Sequence, residues 1–324
     1  MTCRDVIAVG ASAGGVEALR ALAQGLPAGL PAAVLVVLHM PREAPSALPA
    51  ILSRHCALPV VAAADGEQIT PGRVYVARPG HHLLLLGGRL RLSHGPSENG
   101  HRPAVDPLFR SVARSAGPRA IGVVLSGSQA DGASGAVDIA RRGGLTVIQD
   151  PADALYPSMP MAVSARRAPD HVATAAEMGG LLAKLTSVPL PEGLDLHMDP
   201  RLEDEVAISD VEARTTDRTP GATPAGFGCP DCGGNLFELG GEPIPHFRCR
   251  VGHAWSPESL LAEQAVATEG ALWTALRALE EKAALSRRMA GRTSADGYRR
   301  TADDADHAAA LIRQLIDRIA DQPS

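Results

Sequence analysis

A serine in a run of small residues near the N-terminus is the first candidate for chemistry. Ser12 lies in GASAGG, residues 10–15, between an apolar run at 6–9 and a stretch whose apolar residues recur at helical spacing. This turn fits the G-x-S-x-G pattern of a nucleophile elbow, in which small neighbours let the backbone bend sharply and expose one hydroxyl. Ser12 is therefore the candidate nucleophile.

A serine hydroxyl becomes a nucleophile only when a base takes its proton, and two other strand ends offer the partners. His39 follows directly on the apolar run Ala33–Leu38, and Asp131 lies in the loop after the run Ala120–Leu125. In an open parallel sheet, the loops beyond the carboxyl ends of neighbouring strands converge on one crevice. We therefore expect Ser12, His39 and Asp131 to meet there.

The same residues allow other interpretations. A turn of small residues between a strand and a helix also serves tight packing or phosphate binding, and a G-x-G-x-x-G dinucleotide site is the nearest competitor. Against that site, Ser12 replaces the middle glycine, and the second strand ends in His39 where an acidic ribose ligand is expected. A lone His39 is typical of a structural histidine, and Asp131 before a glycine is suited to capping a helix. The alternative function is a non-enzymatic module that binds a ligand or partner.

A second set of candidate residues lies near the C-terminus. Cys229 and Cys232 form C-x2-C, Cys249 and His253 form C-x3-H, and sixteen residues separate the two pairs. Three thiolates and an imidazole at this spacing predict a closed tetrahedral Zn²⁺ site. We expect a structural role, because four protein ligands leave no open position for catalysis. His246 is the rival for the fourth position.

The chain divides into four predicted segments. Residues 4–186 alternate apolar runs with helical patterns, which predicts a doubly wound, mostly parallel α/β domain with an inserted hairpin at 82–93. Residues 187–226 are acidic and rich in proline, which predicts a flexible linker. Residues 227–256 form the predicted zinc-binding module, and residues 257–321 a helical hairpin or short coiled coil. The predicted strands lie at 6–9, 33–38, 60–63, 74–77, 82–86, 89–93, 120–125 and 145–148.

Composition limits the classes of function. The chain has 324 residues, a net charge of -5 and 3% aromatic residues, so neither charge nor stacking rings favour nucleic-acid binding. The longest apolar run, 30–38, is shorter than the roughly 20 residues that cross a bilayer, and the first residues do not fit a signal peptide. Five cysteines, three of them clustered, are typical of metal binding in a reducing compartment. We expect a cytoplasmic protein without membrane insertion.

Four motifs in order resemble the catalytic domain of the CheB-type chemotaxis methylesterases. They are GASAGGVEAL at 10–19, LHMP at 38–41, HRPAVDPLF at 101–109 and IGVVLSGSQADGASG at 121–135. The resemblance covers residues 4–186 and implies that Ser12 is the nucleophile, His39 the general base and Asp131 the residue that orients His39. It also implies hydrolysis of glutamate γ-methyl esters, and deamidation of particular glutamines, on the cytoplasmic helices of chemoreceptors.

The implied reaction runs through an acyl-enzyme on the serine and needs no catalytic cofactor. Backbone N–H groups of Ala13 and Ser128 are the expected oxyanion donors. The loop before Asp131 reads Gly-Ser-Gln-Ala-Asp where the family is expected to have Gly-Met-Gly-Asn-Asp, so the sequence departs from the pattern at this loop. His101, Arg102 and Asp106 are candidates for the substrate crevice.

Regulation is expected to differ from that of the best-known members. Those members carry an N-terminal receiver domain, whereas this sequence begins at the catalytic strand, so we expect no control by phosphorylation in cis. Methylated chemoreceptor-type proteins are the expected substrate. The C-terminal helices are expected to serve self-association or partner docking.

Overall fold

Two compact units make up the part of the chain that the computed structural model describes. The first contains the described residues up to Leu260, and the second those from Leu261 onward. The described residues are 2–43, 45–190, 199–210, 223–239, 244–293 and 296–320.

A seven-stranded parallel sheet forms the centre of the first unit. Its strand order is β3-β4-β2-β1-β7-β8-β9, and all neighbouring pairs are parallel. Every residue of β1, β2 and β7 is buried, as expected for strands covered on both faces. The predicted doubly wound α/β fold is confirmed. The strands of this unit are β1 Val6–Ala11, β2 Ala33–Leu38, β3 Val60–Ala62, β4 Arg73–Val76, β5 His82–Leu86, β6 Arg89–Ser93, β7 Ala120–Val124, β8 Leu145–Gln149, β9 His171–Ala173, β10 Thr223–Gly228, β11 Asn235–Leu239, β12 His246–Cys249 and β13 Ala254–Trp255.

Helices cover both faces of this sheet and enclose two apolar clusters. One cluster contains Leu35 of β2 with residues of α3, α4, α5 and α7, and the other contains Val34 with residues of α1, α2 and α6. Neighbouring residues of β2 enter different clusters because successive side chains of a strand point to opposite faces. The helices are α1 Gly15–Gln24, α2 Leu48–Ser53, α3 Val105–Ala116, α4 Ala133–Arg141, α5 Ser158–Arg166, α6 Ala175–Thr186, α7 Pro200–Ser209, α8 Pro257–Thr293 and α9 Asp296–Ala320, with a 3₁₀ turn at Gly117–Arg119.

Strand β1 lies at the point where the strand order reverses. The chain passes from β1 to β2 on one side of it, and β7 lies on its other side. Loops at the carboxyl ends of β1, β2 and β7 therefore face one crevice. Ser12, His39 and Asp131 lie in these three loops.

The sequence pattern predicted the inserted hairpin but not one short strand at the edge of the sheet. Strands β5 and β6 pair antiparallel, with Leu86 opposite Arg89 across two glycines, as predicted. Strand β9 was not predicted. It has three residues, none of them fully buried, so it lacks the apolar run that marks a buried strand.

The segment predicted as a flexible linker, 187–226, contains a helix instead of an irregular chain over its central described part. Helix α7 begins with Pro200, and the side chain of Asp199 accepts a hydrogen bond from the N–H of Arg201 as a cap. Leu202 and Val206 pack into the apolar cluster on the α3 side of the sheet. The linker prediction is wrong here, because an acidic composition does not prevent a helix from burying an apolar face. Residues 191–198 and 211–222 lie outside the described residues.

The cysteine-containing segment forms a four-stranded antiparallel sheet, ordered β10-β11-β12-β13. Its small core contains Leu236, Phe247 and Trp255 together with Cys229 and Cys249. The segment lies in the same compact unit as the parallel sheet, so it is not separated from residues 4–186.

The second unit consists of α9 and the part of α8 after Leu260. Leu276, Ala309 and Ile316 form a small buried cluster between the two helices. Ion pairs join Arg287 to Asp306 and Arg313 to Glu280, which fits antiparallel helices. Residue 321, the last of the predicted hairpin, lies outside the described residues. In the ranges that the structure describes, no helix is both long and apolar enough to cross a membrane.

Candidate active site and metal cluster

A tight turn after β1 presents Ser12. The N–H of Ser12 donates to the carbonyl of Ser126 at 3.0 Å, and the carbonyl of Ser12 accepts from the N–H of Gly15 at 2.9 Å. Gly14 caps α1 with φ of 69°, a left-handed conformation that favours glycine. These contacts fix the turn between strand and helix, so the serine is held at the edge of the crevice.

The loop after β7 approaches this serine closely at Gly127. A Cβ added at Gly127 would lie 2.9 Å from the Cβ of Ser12 and 2.0 Å from Sδ of Met159. Only a residue without a side chain fits between these two groups. The loop that leads to Asp131 therefore passes directly beside Ser12.

Ser12, His39 and Asp131 form a series of hydrogen bonds. Nδ1 of His39 lies 3.1 Å from Oγ of Ser12, and Nε2 lies 2.6 Å from Oδ2 of Asp131. A carboxylate only accepts hydrogen bonds, so it selects the tautomer with the proton on Nε2. Nδ1 is then the acceptor for the serine hydroxyl. The side chains of His39 and Asp131 are 7% and 1% exposed, which shields the pair from water.

Asp131 is held by donors from several elements. It accepts from the N–H groups of Val105 at 2.6 Å, Asp106 at 3.1 Å and Gly132 at 3.0 Å. The first two begin α3, where the helix dipole favours a negative charge. Burial alone would raise the pKa of Asp131, but the hydrogen bonds from His39 and Val105 hold it far below its usual range. The carboxylate is therefore ionised at neutral pH.

His101 packs edge-on against His39, with ring centroids 3.8 Å apart and planes at 87°. Burial, and then the neighbouring His39, lower the pKa of His101 to about 4, so this ring is neutral at physiological pH. Asp106, by contrast, is buried and accepts from the N–H of Gly135 at 2.7 Å, away from solvent. An open pocket beside the histidine pair is lined by His39, Met40, Pro41, Arg42, Gly100, His101 and Arg102.

The predicted oxyanion donors lie on the two turns that meet at Ser12. Among the described residues, neither the N–H of Ala13 nor that of Ser128 donates to another protein group. The adjacent N–H of Gly127, by contrast, is bound to the carbonyl of Tyr156 at 2.9 Å. Ala13 and Ser128 therefore have free donors, and their role stays a prediction.

Cys229, Cys232, Cys249 and His253 bring four ligand atoms within 4.8 Å of one another. Sγ of Cys232 and Cys249 lie 3.7 Å apart, and Nδ1 of His253 lies 3.7 Å and 3.5 Å from Sγ of Cys229 and Cys249. Ligand atoms of a tetrahedral zinc site are about 3.5–3.8 Å apart, given bonds of about 2.3 Å to sulfur and about 2.0 Å to nitrogen. The donor set and its spacing therefore fit a metal ion.

His246, the rival ligand, does not belong to this cluster. It is buried, its Nε2 has no hydrogen-bond partner, and burial lowers its pKa to about 3. The geometry thus favours His253 for the fourth position.

Residues that no sequence motif indicated connect the two sites. Asn99 donates to Asp131 through its side-chain amide, and Arg110 lies between the buried Glu98 and Glu205. Asn99-Gly100 is a recognisable turn dipeptide, so the turn was detectable. The hydrogen-bond partners of Asn99 are distant in sequence, so no sequence motif indicated them.

The fold and the site together define a class of protein. A doubly wound parallel sheet carries a hydrogen-bonded serine, histidine and aspartate at the ends of three adjoining strands, the arrangement that serine hydrolases use. The chain belongs to the CheB methylesterase family, whose model matches residues 7–182, more than half of its length.

Individual relatives agree with this assignment. A protein-glutamate methylesterase/protein-glutamine glutaminase 1 of Xanthomonas campestris is 44% identical over 163 residues, which cover 49% of this chain and 45% of the relative. A protein-glutamate methylesterase/protein-glutamine glutaminase of Paraburkholderia xenovorans is 40% identical over 194 residues, 58% of this chain and 53% of the relative. The chain thus spans about half the length of the curated relatives it matches.

A solved structure agrees with the fold as well. The crystal structure of the Thermotoga maritima CheB methylesterase catalytic domain aligns with a TM-score of 0.54 and 31% identity. The alignment covers 56% of this chain and 98% of that chain.

Proposed function

We propose that this protein is a protein-glutamate methylesterase that hydrolyses glutamate γ-methyl esters on chemoreceptor-type proteins and deamidates glutamines there. The observation that carries the proposal is the series of hydrogen bonds from Ser12 through His39 to the ionised Asp131. Membership in the CheB methylesterase family supports the choice of ester and of substrate.

The proposed reaction begins at the hydroxyl of Ser12. Its oxygen attacks the ester carbonyl while Nδ1 of His39 takes the proton, and Asp131 stabilises the imidazolium through Nε2–H. The proton then passes to the departing methoxide, which leaves as methanol, and the glutamyl group stays on Ser12. His39 next takes a proton from water as the water oxygen attacks the acyl carbon. That proton then passes to Oγ of Ser12 as the acyl bond breaks, which restores Ser12 and leaves a glutamate side chain on the substrate protein. For a glutamine side chain, the leaving group is ammonia.

The negative charge that develops on the carbonyl oxygen needs donors. We propose the N–H groups of Ala13 and Ser128, because both lack a partner among the described residues and lie on the turns that meet at Ser12. The positive end of α1, which begins at Gly15, supports the same charge. Loss of one such donor is expected to lower the rate about 10²–10³-fold.

The pocket beside His39 suits a substrate that carries acidic side chains. Arg42 and Arg102 line it, and their positive charges favour a helix rich in glutamate. Receptor helices of this kind are cytoplasmic in the family, so we propose the cytoplasm as the place of action.

We propose that Cys229, Cys232, Cys249 and His253 hold Zn²⁺. A bound zinc ion would tie two turns of the small antiparallel sheet together and stabilise its fold. The distances of 3.5–3.7 Å between ligand atoms support this assignment.

The C-terminal helices are proposed to dock a partner or a second copy. Leu285 and Leu311 are 62% and 49% exposed, which supports such a contact.

The proposal is tested on a purified chemoreceptor cytoplasmic fragment carrying radiolabelled methyl esters. Wild-type protein is expected to release labelled methanol and to convert glutamine to glutamate in mapped peptides. A non-enzymatic binding module would retain the fragment without releasing methanol, and that result would rule out the proposed activity.

A further inference from the structure

Asn99 joins the candidate active site to the metal-binding segment. Its side-chain N–H donates to Oδ1 of Asp131 at 3.3 Å, and its side-chain oxygen accepts from the N–H of Ser256 at 2.8 Å. Its backbone N–H donates to the carbonyl of Ala254 at 2.8 Å. Asn99 is 2% exposed, so no water competes for these bonds. The side chain of Asn99 thus contacts both Asp131 and the residue that follows strand β13, and its backbone contacts the strand itself.

The turn that carries Asn99 also carries His101. Glu98 and His101 exchange two backbone hydrogen bonds, of 3.1 Å and 2.9 Å, across Asn99-Gly100. His101 then packs edge-on against His39. This turn therefore contacts both Asp131, through the amide of Asn99, and His39, through the ring of His101.

The metal-binding segment holds the same turn from its other side. The N–H of Ala254 donates to the carbonyl of Ser97, whose hydroxyl donates to Asp231 within the C-x2-C turn. A Cβ added at Gly252 would lie 2.6 Å from Cγ of Pro96, which shows how closely these two segments of the chain approach each other. Residues before and after the metal ligands therefore contact residues 96–99.

A buried ionic network reinforces the junction. Arg248, next to Cys249, pairs with Glu205 of α7 and donates to the carbonyl of Gly252 at 2.8 Å. Arg110 of α3 pairs with the same Glu205 and with Glu98. All these charged groups are nearly inaccessible to water, so each depends on the others for compensation.

We propose that the metal-loaded Cys229/Cys232/Cys249/His253 segment is a positioning element of the esterase site. The ion fixes strand β13, which fixes Asn99 and its turn, and these hold Asp131 and His101 in place. This inference rests on the proposed methylesterase function and adds a dependence of turnover on the metal. A segment of this size has only a small apolar core and depends on its metal for order. Asn99 acts through Asp131 and is a positioning residue.

The test compares metal-loaded and metal-stripped full-length protein under reducing conditions. Two quantities are measured: kcat and KM on the methylated receptor fragment, and the rate at which a fluorophosphonate labels Ser12, followed by intact mass. Removal of the metal is expected to lower kcat and the labelling rate about 10- to 100-fold, the usual effect of misplacing a catalytic group by about 1 Å. KM is expected to change little, and zinc added back is expected to restore both rates.

Asn99→Gly tests the route of the effect. Glycine tolerates the left-handed φ of 51° at this position, so the turn is retained while both side-chain bonds are lost. We expect this variant to keep its metal and to react with the fluorophosphonate as slowly as the metal-stripped wild type. Removal of its metal is then expected to lower its labelling rate by less than about a further threefold. Asn235→Gly, the same change at an exposed position of the segment, is expected to behave as the wild type.

Three results would overturn the inference. They are an unchanged labelling rate in stripped protein, equal fold losses on stripping wild type and Asn99→Gly, and unfolding of the parallel sheet on stripping as seen by circular dichroism. A different result would refute the proposed esterase function. A wild type that releases no methanol would refute the esterase activity, while the labelling rate would still report the effect of the metal.

Discussion

Asp131 accepts a 2.6 Å hydrogen bond from Nε2 of His39, and this bond orients the ring so that Nδ1 faces Ser12. The carboxylate thereby selects both the tautomer and the orientation of the ring. Four further donors, including Asn99, fix the carboxylate itself. The position of His39 consequently depends on elements far from it in sequence.

Asp131→Asn is expected to lower kcat about 10⁴-fold, because an amide no longer stabilises the Nε2–H tautomer or the imidazolium. It also turns an N–H₂ group toward donors of α3, so the free energy of unfolding is expected to fall. Steady-state methanol release and urea titration measure the two effects. Asp303→Asn, on an exposed face of α9, is the control. Activity of Asp131→Asn within tenfold of the wild type would contradict the assigned role.

The sequence predicted the ends of the central strands well enough to bring these groups together. Ala33–Leu38 is recognisable because its residues are apolar without alternation, and parallel topology then places His39 beside Ser12. The ring orientation was not predictable, because it is set by bonds to Asp131 that form only in the folded chain.

Helix α7 and Asn99 show why other features of the fold and the site could not be predicted from the sequence. The acidic residues of α7 indicated a linker, yet Glu205 is buried between Arg110 and Arg248, which lie 95 and 43 residues away. Asn99 and Ser256 are 157 residues apart. Such pairs carry no local periodicity, so only the tertiary structure reveals them.

Gly127→Ala is expected to impair both catalysis and stability. The added methyl group would meet Sδ of Met159 and the Cβ of Ser12, so one of them must move. We expect a loss of about 1–3 kcal/mol in stability and a drop in kcat of about 10²-fold. Gly180→Ala in α6, where the Cβ meets nothing within 4 Å, is the control and is expected to stabilise the helix by about 0.5–1 kcal/mol. Equal kcat for the two variants would contradict the close approach.

Cys249→Ser is expected to remove about one equivalent of zinc, because a serine hydroxyl is a poor substitute for a thiolate in a tetrahedral site. Metal analysis of purified protein measures the content. Cys56→Ser changes a cysteine outside the cluster and is expected to leave the zinc content unchanged. Retention of the full zinc content by Cys249→Ser would refute the ligand set.

Acidification is expected to destabilise the first unit through buried neutral histidines. Nε2 of His82 donates to the carbonyl of Pro96, and Nδ1 accepts from the N–H of Ala104, so the folded state has no place for a second proton. Burial lowers the pKa of His82 to about 4, below its ordinary value of about 6.5 in the unfolded chain. The folded state therefore binds fewer protons, and stability falls as the pH drops from about 6.5 to 4, by up to ~3 kcal/mol for this residue.

Urea titrations of the wild type and His82→Gln at pH 7 and pH 4 test this dependence. The glutamine variant is expected to lose less stability between the two pH values, although the half-buried His101 and the buried His246 still contribute in the same direction. His55→Gln, at an exposed position, is the control. Identical pH dependence in wild type and His82→Gln would show that folding does not lower the pKa of His82.

Ser12 is proposed to be the nucleophile of a methylesterase. The most direct measurement is methanol release from a methylated receptor fragment by wild type, Ser12→Ala and the exposed control Ser53→Ala. We predict that Ser12→Ala lowers the rate about 10⁴–10⁶-fold while Ser53→Ala releases methanol as the wild type does. Equal methanol release by Ser12→Ala and wild type would show that Ser12 is not the nucleophile.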